Sequence, residues 1–201
     1  MSPPRDAKSE KIVGLPRRTL AILGACVLIA AAAVVYGVRP QAQAPSLIGG
    51  PFRLENAEGK TVTDADFRGA PFLVYFGYTH CPDICPTTLA QISDVMKRLP
   101  DKPIKALFIT VDPERDTAKL MADYVSSFDP RITGLSGTPE EIAAVEKVYR
   151  VYARKAPTKD GDYAMDHSSV IYLMDAKGGF VEAFNLERTP DEAAAELKTY
   201  F

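Results

Sequence analysis

PFLVYFGYTHCPDICP, residues 71–86, is the most informative segment of this 201-residue chain. Residues 71–77 form a continuous apolar run with β-branched and aromatic members, which is typical of a strand buried on both faces. Cys81 and Cys85 follow this run. Residues 86–98 then repeat apolar side chains at three- and four-residue spacing, which indicates an amphipathic helix formed through Leu89, Ile92, Val95 and Met96. The two cysteines therefore lie where a buried strand turns into a helix.

The rest of the chain after residue 50 alternates between strand and helix patterns. Strands are predicted at residues 51–54, 60–63, 104–111, 168–174 and 179–184, with a turn over residues 175–178 joining the last two. Helices are predicted at residues 116–127 and 139–149 and in the C-terminal segment, the last two being introduced by capping patterns that begin at Thr138 and Thr189. Strands that alternate with helices imply a parallel core, to which the late hairpin adds antiparallel strands. We therefore expect an α/β, thioredoxin-like sandwich with a mixed central sheet and an N-terminal hairpin extension.

The position and spacing of Cys81 and Cys85 indicate either thiol chemistry or a metal site. Ligands collect beyond the carboxyl ends of strands in sheets of this kind. A helix N-terminus stabilises negative charge, so we expect at least one of the two thiols to have a pKa below the ordinary value of about 8.5. A helical turn would bring the two Cα atoms to about 6 Å, which suits a disulfide or one shared ion. Two soft thiolates favour a soft ion such as Cu(I).

A structural disulfide is the alternative for this pair. Cysteine pairs in exported proteins are commonly oxidised. Closing so short a loop would remove little entropy from the unfolded chain, however, and so would stabilise the fold only slightly. A strand-to-helix turn also suits a binding or reactive site better than a cross-link.

Two histidines are available as a further ligand. His80 adjoins Cys81 and would be strained if it ligated the same ion as both thiolates. His167 precedes the strand predicted at 168–174 and follows residues 155–166, which we predict to be a polar loop long enough to move. In a thioredoxin-like fold this region lies beside the strand-to-helix turn. The residues alone leave His167 open between a structural histidine and a third ligand.

The N-terminal part of the chain predicts a membrane anchor. Residues 19–38 carry no charge, and about 20 apolar residues are enough to cross a bilayer. Basic residues before this run place the N-terminus in the cytoplasm. We expect a cytoplasmic basic leader at 1–18, a transmembrane helix at 19–38, a linker at 39–50 and the folded domain at 51–201, with this domain in the periplasm of a bacterial inner membrane. A cleaved signal peptide and a lipoprotein signal ending at Cys26 are alternatives, and both also place the domain outside the cytoplasm.

The charge distribution argues against one class of partner. The chain has a formal net charge of −2, and no basic stripe is present. Its first 38 residues are net basic, so the part that follows is acidic, at about −5. A nucleic-acid partner is therefore not expected.

Three segments closely resemble the Sco/SenC family of copper chaperones, over about residues 48–201. They are YFGYTHCPDICPTTL at 75–89, VDPERD at 111–116 and DHS at 166–168. The resemblance implies that Cys81, Cys85 and His167 bind one copper ion, Cu(I) or Cu(II). It also implies a role in building the binuclear copper site of cytochrome c oxidase subunit II, with an upstream periplasmic copper carrier or a thiol reductant as a further partner. Asp112 matches an acidic position of the family near the copper loop, as a turn residue, as a residue that supports the copper ligands or as a partner-docking residue.

A different class of function is a thiol-disulfide oxidoreductase. Cys81 and Cys85 would then be a redox-active pair that reduces the cysteines of the oxidase subunit before metal is delivered. This function needs both cysteines but not His167, whereas copper binding through three ligands needs all three residues. The two roles are compatible, because the cysteines bind metal only when reduced.

Overall fold

Residues 47–201 are described by a computed structural model. The leader predicted at 1–18, the anchor predicted at 19–38 and most of the linker predicted at 39–50 lie outside the described residues, so these stay predictions. Within residues 47–201, no helix has the length and apolar character that crossing a bilayer requires.

The described residues form nine strands and four α-helices. In chain order the strands are β1 (Arg53–Glu55), β2 (Thr61–Thr63), β3 (Phe72–Gly77), β4 (Lys105–Thr110), β5 (Ile132–Leu135), β6 (Ala153–Pro157), β7 (Tyr163–His167), β8 (Ile171–Met174) and β9 (Phe180–Ala183). The helices are α1 (Ile84–Lys97), α2 (Ala118–Val125), α3 (Pro139–Tyr149) and α4 (Pro190–Leu197). Short 3-10 turns occur at Asp64–Phe67 and Lys198–Tyr200.

A five-stranded mixed sheet forms the centre of the fold, in the order β5-β4-β3-β8-β9. β3 pairs in parallel with β4, which pairs in parallel with β5, whereas β8 runs antiparallel to β3 and to β9. Every residue of β3 is buried, as its apolar run predicts. This architecture confirms the thioredoxin-like plan, and the antiparallel pair β1–β2 confirms the N-terminal hairpin.

The two faces of the sheet pack against different helices. Side chains alternate along a strand, so Tyr75 and Phe76 point to opposite faces. Tyr75 stacks on Phe108 of β4, which stacks in turn on Tyr124 of α2. On the other face Phe76 contacts Tyr149 of α3. Helices therefore cover both sides of the sheet and leave the carboxyl ends of β3 and β4 as the edge where a site can form.

Local signals in the sequence explain where most of the helices begin. The Thr138 and Thr189 hydroxyls accept hydrogen bonds from the backbone N–H groups of Glu141 and Glu192, as the predicted capping boxes require. α1 differs, because it begins at Ile84, two residues before the predicted start, and its N-cap residue Asp83 makes no side-chain capping bond. Cys85 therefore lies inside the first turn of α1.

One prediction is wrong in an informative way. Residues 155–166 are not a loop, because most of them form an antiparallel hairpin, β6–β7, in which Ala153 pairs with His167 and Pro157 pairs with Tyr163. This hairpin forms a two-stranded sheet of its own, separate from the central sheet. Its side chains are half-buried or exposed, so the strands lack the apolar alternation that predicts a strand from sequence.

Candidate functional site

The two cysteines differ in exposure although they share one turn. Both are free thiols; Cys81 is partly exposed and Cys85 is fully buried, at 0% relative exposure. The Cys85 backbone N–H donates to the Cys81 sulfur over 3.3 Å. Cys81 thus accepts from a backbone donor that the helix leaves free in its first turn. The turn therefore contains one partly exposed sulfur and one buried sulfur.

The Cys85 sulfur occupies a tight pocket between the sheet and α1. The Tyr75 hydroxyl donates to it over 3.7 Å, and the Tyr78 backbone also forms a hydrogen bond with it. Gly77 makes this approach possible, because a Cβ atom there would lie 2.7 Å from the Cys85 sulfur and 2.6 Å from the Phe108 ring. The end of β3 therefore needs glycine for the sulfur to reach the sheet.

Burial dominates the ionisation of Cys85. Loss of solvation raises the pKa of the Cys85 thiol to about 12, although the Tyr78 backbone and the Tyr75 hydroxyl both act to lower it. The sequence predicts a lowered pKa for at least one of the two thiols, and Cys85 is not that thiol, because desolvation outweighs the helix dipole at a buried sulfur. Cys85 therefore remains a neutral thiol at neutral pH until metal binding or oxidation to a disulfide releases its proton.

His167 lies at the end of β7 and faces the buried sulfur. Its Nε2 atom is 3.9 Å from the Cys85 sulfur, and its Nδ1 atom is 3.1 Å from the Ser168 carbonyl oxygen. A carbonyl oxygen can only accept, so Nδ1 must carry the proton in this contact. With its proton on Nδ1, the ring has an acceptor at Nε2, which faces the Cys85 sulfur. The ring also packs edge-on against Tyr78, with 5.8 Å between ring centroids.

The three predicted site residues lie around one small cavity. Cys81 and His167 both line a pocket of about 270 Å³, together with Tyr78, Pro82, Asp83, Ile84, Met165, Asp166 and Ser169. Cys85 is fully buried beside it, and its sulfur contacts His167 at 3.9 Å. Within residues 47–201, no three His, Cys, Asp or Glu side chains are arranged as a ready-made metal cluster. The structure thus places the three residues close together without arranging them around a common point.

His80, the second histidine, is held elsewhere. Its Nδ1 atom is 3.1 Å from the Thr79 hydroxyl and 3.9 Å from the Asp116 carboxylate, and its side chain is half exposed. The two histidines thus occupy different positions. His167 lies beside the Cys85 thiol, and His80 is turned toward Asp116.

Sequence reasoning missed the buried carboxylate that supports the cysteine turn. Asp116 is fully buried and accepts hydrogen bonds from the Thr79 backbone N–H at 3.0 Å, the Thr79 hydroxyl at 2.5 Å and the Thr110 hydroxyl at 2.7 Å. It therefore fixes the backbone two residues before Cys81. The available signal was an aspartate four residues after Asp112, just beyond a buried strand that ends in threonine.

Asp112 is also buried, at 1% exposure, and it faces the hairpin that carries His167. Its carboxylate accepts from Arg115 Nε at 2.5 Å and from the Tyr163 hydroxyl at 3.0 Å. The sequence left Asp112 as a turn residue, as a residue that supports the copper ligands or as a partner-docking residue. Its contacts are internal ones that join the loop after β4 to the β6–β7 hairpin.

Comparison with known proteins assigns the chain to a family. A model of the SCO1/SenC family matches residues 40–201. The structure of ScoI from Bradyrhizobium japonicum with copper bound is 60% identical, covers 77% of this chain and 99% of that chain, and superposes with a TM-score of 0.72. Yeast Sco1 with copper bound is 37% identical, covers 78% of this chain and 91% of that chain, and has a TM-score of 0.68.

Sequence relatives lead to the same assignment. The human mitochondrial protein SCO1 homolog is 42% identical over 161 residues, which are 77% of this chain and 53% of the human protein. This chain therefore spans about half the length of that relative. Since the family match covers most of the chain, including the cysteine turn and His167, the protein belongs to the SCO1/SenC family.

Proposed function

We propose that this protein is a copper chaperone that binds one copper ion through Cys81, Cys85 and His167. The observation that carries the proposal is the proximity of two free thiols and the His167 imidazole, with 3.9 Å between Nε2 and the Cys85 sulfur, beside a small cavity that Cys81 and His167 line. Two sulfurs and one imidazole suit copper, in particular Cu(I), better than a hard cation. Relatives in this family have been solved with copper bound.

The three proposed ligands have different roles in holding the copper ion. Copper replaces the thiol protons, which overcomes the raised pKa of buried Cys85 and makes binding release protons to solvent. The Ser168 carbonyl fixes the His167 ring so that Nε2 faces the sulfurs. Cys81 lies at the accessible side of the cavity, where a ligand of a receiving protein can approach. Transfer then proceeds from the Cys81 side while Cys85 and His167 still hold the ion.

The receiving partner in this proposal is the binuclear copper site of cytochrome c oxidase subunit II. One solved structural relative is described as a member of the Sco family of cytochrome c oxidase assembly proteins. The apolar segment 19–38 supports a tether in a bacterial inner membrane, with residues 39–201 in the periplasm. Such a tether would hold the domain close to a membrane-bound oxidase, and a periplasmic copper carrier would supply the ion.

Copper titration of the reduced full-length chain tests the three-ligand proposal. We expect one Cu(I) per chain, and we expect His167→Ala to lower the affinity by more than about tenfold, the lower end of what losing a ligand-supporting residue costs, because the ion loses one of three donors. The measurement is competition with a chromogenic Cu(I) chelator. His80→Ala is the matched control and should leave the affinity unchanged. An unchanged affinity in His167→Ala, with His80→Ala equal to it, would reject His167 as a ligand.

A thiol-disulfide oxidoreductase is a second candidate, and the unequal exposure of the two cysteines favours it. The accessible Cys81 would attack a substrate disulfide, and buried Cys85 would then displace the product by forming the internal disulfide. We expect a Cys85→Ser variant to trap a mixed disulfide at Cys81, detected by mass spectrometry with an oxidised dithiol peptide. Reduction of the peptide should survive His167→Ala. No reduction by the reduced wild type over a range of thiol potentials would exclude this function.

A further inference from the structure

His167 belongs to a hairpin that the central sheet does not hold. Residues 153–167, here called the His167 hairpin, form a two-stranded sheet of their own. Its position relative to Cys85 therefore depends on side-chain contacts with the rest of the domain. Tyr163, Met165 and His167 alternate along β7 and so share one face of the strand. That face lies toward the domain. The Tyr163 ring stacks on Arg115, Met165 packs against the core, and His167 contacts Cys85.

Arg115 makes the densest set of contacts to this face. Its Nη1 atom donates to the Tyr163 carbonyl oxygen at 3.0 Å, and its guanidinium lies 3.8 Å from the centre of the Tyr163 ring. Its Nε atom donates to Asp112, which also accepts from the Tyr163 hydroxyl at 3.0 Å. Arg115 and Asp112 thus contact both the backbone and the side chain of Tyr163, which lies four residues before His167.

Ion pairs also join the His167 hairpin to the rest of the domain at its surface. Arg115 Nη1 lies 3.5 Å from the carboxylate of Asp162, which is 64% exposed. Lys155 pairs with Glu114, but both side chains are well exposed, and exposed pairs contribute little. Arg115 is only 17% exposed and its partner Asp112 only 1%, so their contact is much less screened by solvent. A planar guanidinium can also stack on a ring and donate in its own plane at the same time, which a lysine ammonium does not do.

The loop that carries Arg115 also supports the cysteine turn. Asp112 to Asp116 follow β4 directly, and the Asp116 carboxylate binds the backbone and hydroxyl of Thr79. One short loop therefore binds the turn before Cys81 through Asp116 and the His167 hairpin through Arg115. The separation between the thiols and His167 depends on this loop.

We infer that Arg115 is a positioning residue that sets His167 against the thiol pair by clamping Tyr163. The inference rests on the proposed copper site for its functional meaning, whereas the clamp itself exists without metal. Arg115 acts on His167 through Tyr163 of β7 and through the Tyr78 ring, which lies 6.0 Å from its guanidinium and packs on His167. Its removal loosens the His167 hairpin and leaves the thiol pair in place.

Amide hydrogen exchange of the reduced, metal-free full-length chain tests the clamp itself. We expect Arg115→Gln and Arg115→Lys to raise exchange of residues 163–167 by about tenfold, because local opening no longer has to break the Arg115 contacts. Exchange in β3 and β4 should stay at the wild-type rate. Arg131→Gln is the matched control, since Arg131 also grips an aspartate and a backbone carbonyl, those of Asp129 and Leu99, and is 26% exposed. Unchanged exchange at 163–167 in both Arg115 variants would overturn the inference.

A double-mutant cycle on copper affinity tests the route through His167. Arg115→Gln should lower Cu(I) affinity by about tenfold in the wild-type background, and it should have no further effect in the His167→Ala background. Equal losses in both backgrounds would show that Arg115 acts independently of His167, which overturns the positioning role. If His167→Ala itself leaves copper affinity unchanged, the three-ligand proposal fails, and the exchange experiment still decides whether Arg115 clamps the hairpin.

Discussion

Replacing Cys85 by serine is expected to lower the affinity for Cu(I) by at least about a hundredfold, more than the loss of a residue that only supports the ligands would cause. A serine hydroxyl is a hard and weakly acidic donor, so it does not replace a soft thiolate on a soft ion. The Cys85 sulfur also lies closest to His167 and so links the two halves of the site. The measurement is chelator competition on the reduced full-length chain.

Cys26→Ser is the control for this prediction. Cys26 is the third cysteine and belongs to the apolar segment 19–38, where we expect no chemistry. Its replacement should leave both the copper stoichiometry and the affinity at their wild-type values. Circular dichroism should show a folded Cys85→Ser protein, because serine is slightly smaller than cysteine and the Tyr75 hydroxyl remains as a partner. Retention of one copper at wild-type affinity in Cys85→Ser would reject the thiol-pair site.

The central fold could be predicted from sequence because its signals are local. β3 is an unbroken apolar run, and every one of its residues is buried. The helix that starts after Thr138 carries its own capping box, which forms as expected. The cysteine turn was located correctly for the same reason, since it depends only on the order of a buried strand and an amphipathic helix.

The His167 hairpin could not be predicted because its stability is not local. β6 carries exposed and half-buried residues such as Arg154 and Lys155, with no apolar face to mark a strand. Tyr163 of the hairpin contacts Arg115 and Asp112, about fifty residues earlier in the chain. The expected position of His167 beside the thiols was correct, but the reason lies in these distant contacts rather than in a mobile loop.

The direction of the Cys85 pKa shift could not be predicted from sequence for a related reason. The sequence shows a cysteine at a helix N-terminus, where the dipole lowers a thiol pKa. It does not show how deeply the sulfur is buried, which depends on Gly77 and Phe108 leaving room for it at the end of β3. Burial depends on the packed tertiary structure, and here it reverses the direction of the shift.

Asp116→Ala is expected to reduce the free energy of unfolding by about 3 kcal/mol, since it leaves several buried donors without their acceptor. Those donors are the Thr79 backbone N–H and the hydroxyls of Thr79 and Thr110. The loss should be measured by urea denaturation of the reduced, metal-free chain. Because Thr79 lies two residues before Cys81, the same change should also release the cysteine turn and lower copper affinity by about tenfold.

Asp129→Ala separates these two consequences. Asp129 is also buried and accepts from the side chain and backbone of Arg131, so its loss should destabilise the fold by a comparable amount. Its contacts are with Arg131 and Ser93 rather than with the cysteine turn, so copper affinity should remain at the wild-type value in the folded protein. If both variants lose stability and both bind copper normally, Asp116 supports the fold alone. If only Asp116→Ala weakens copper binding, the buried carboxylate holds the cysteine turn in its binding geometry.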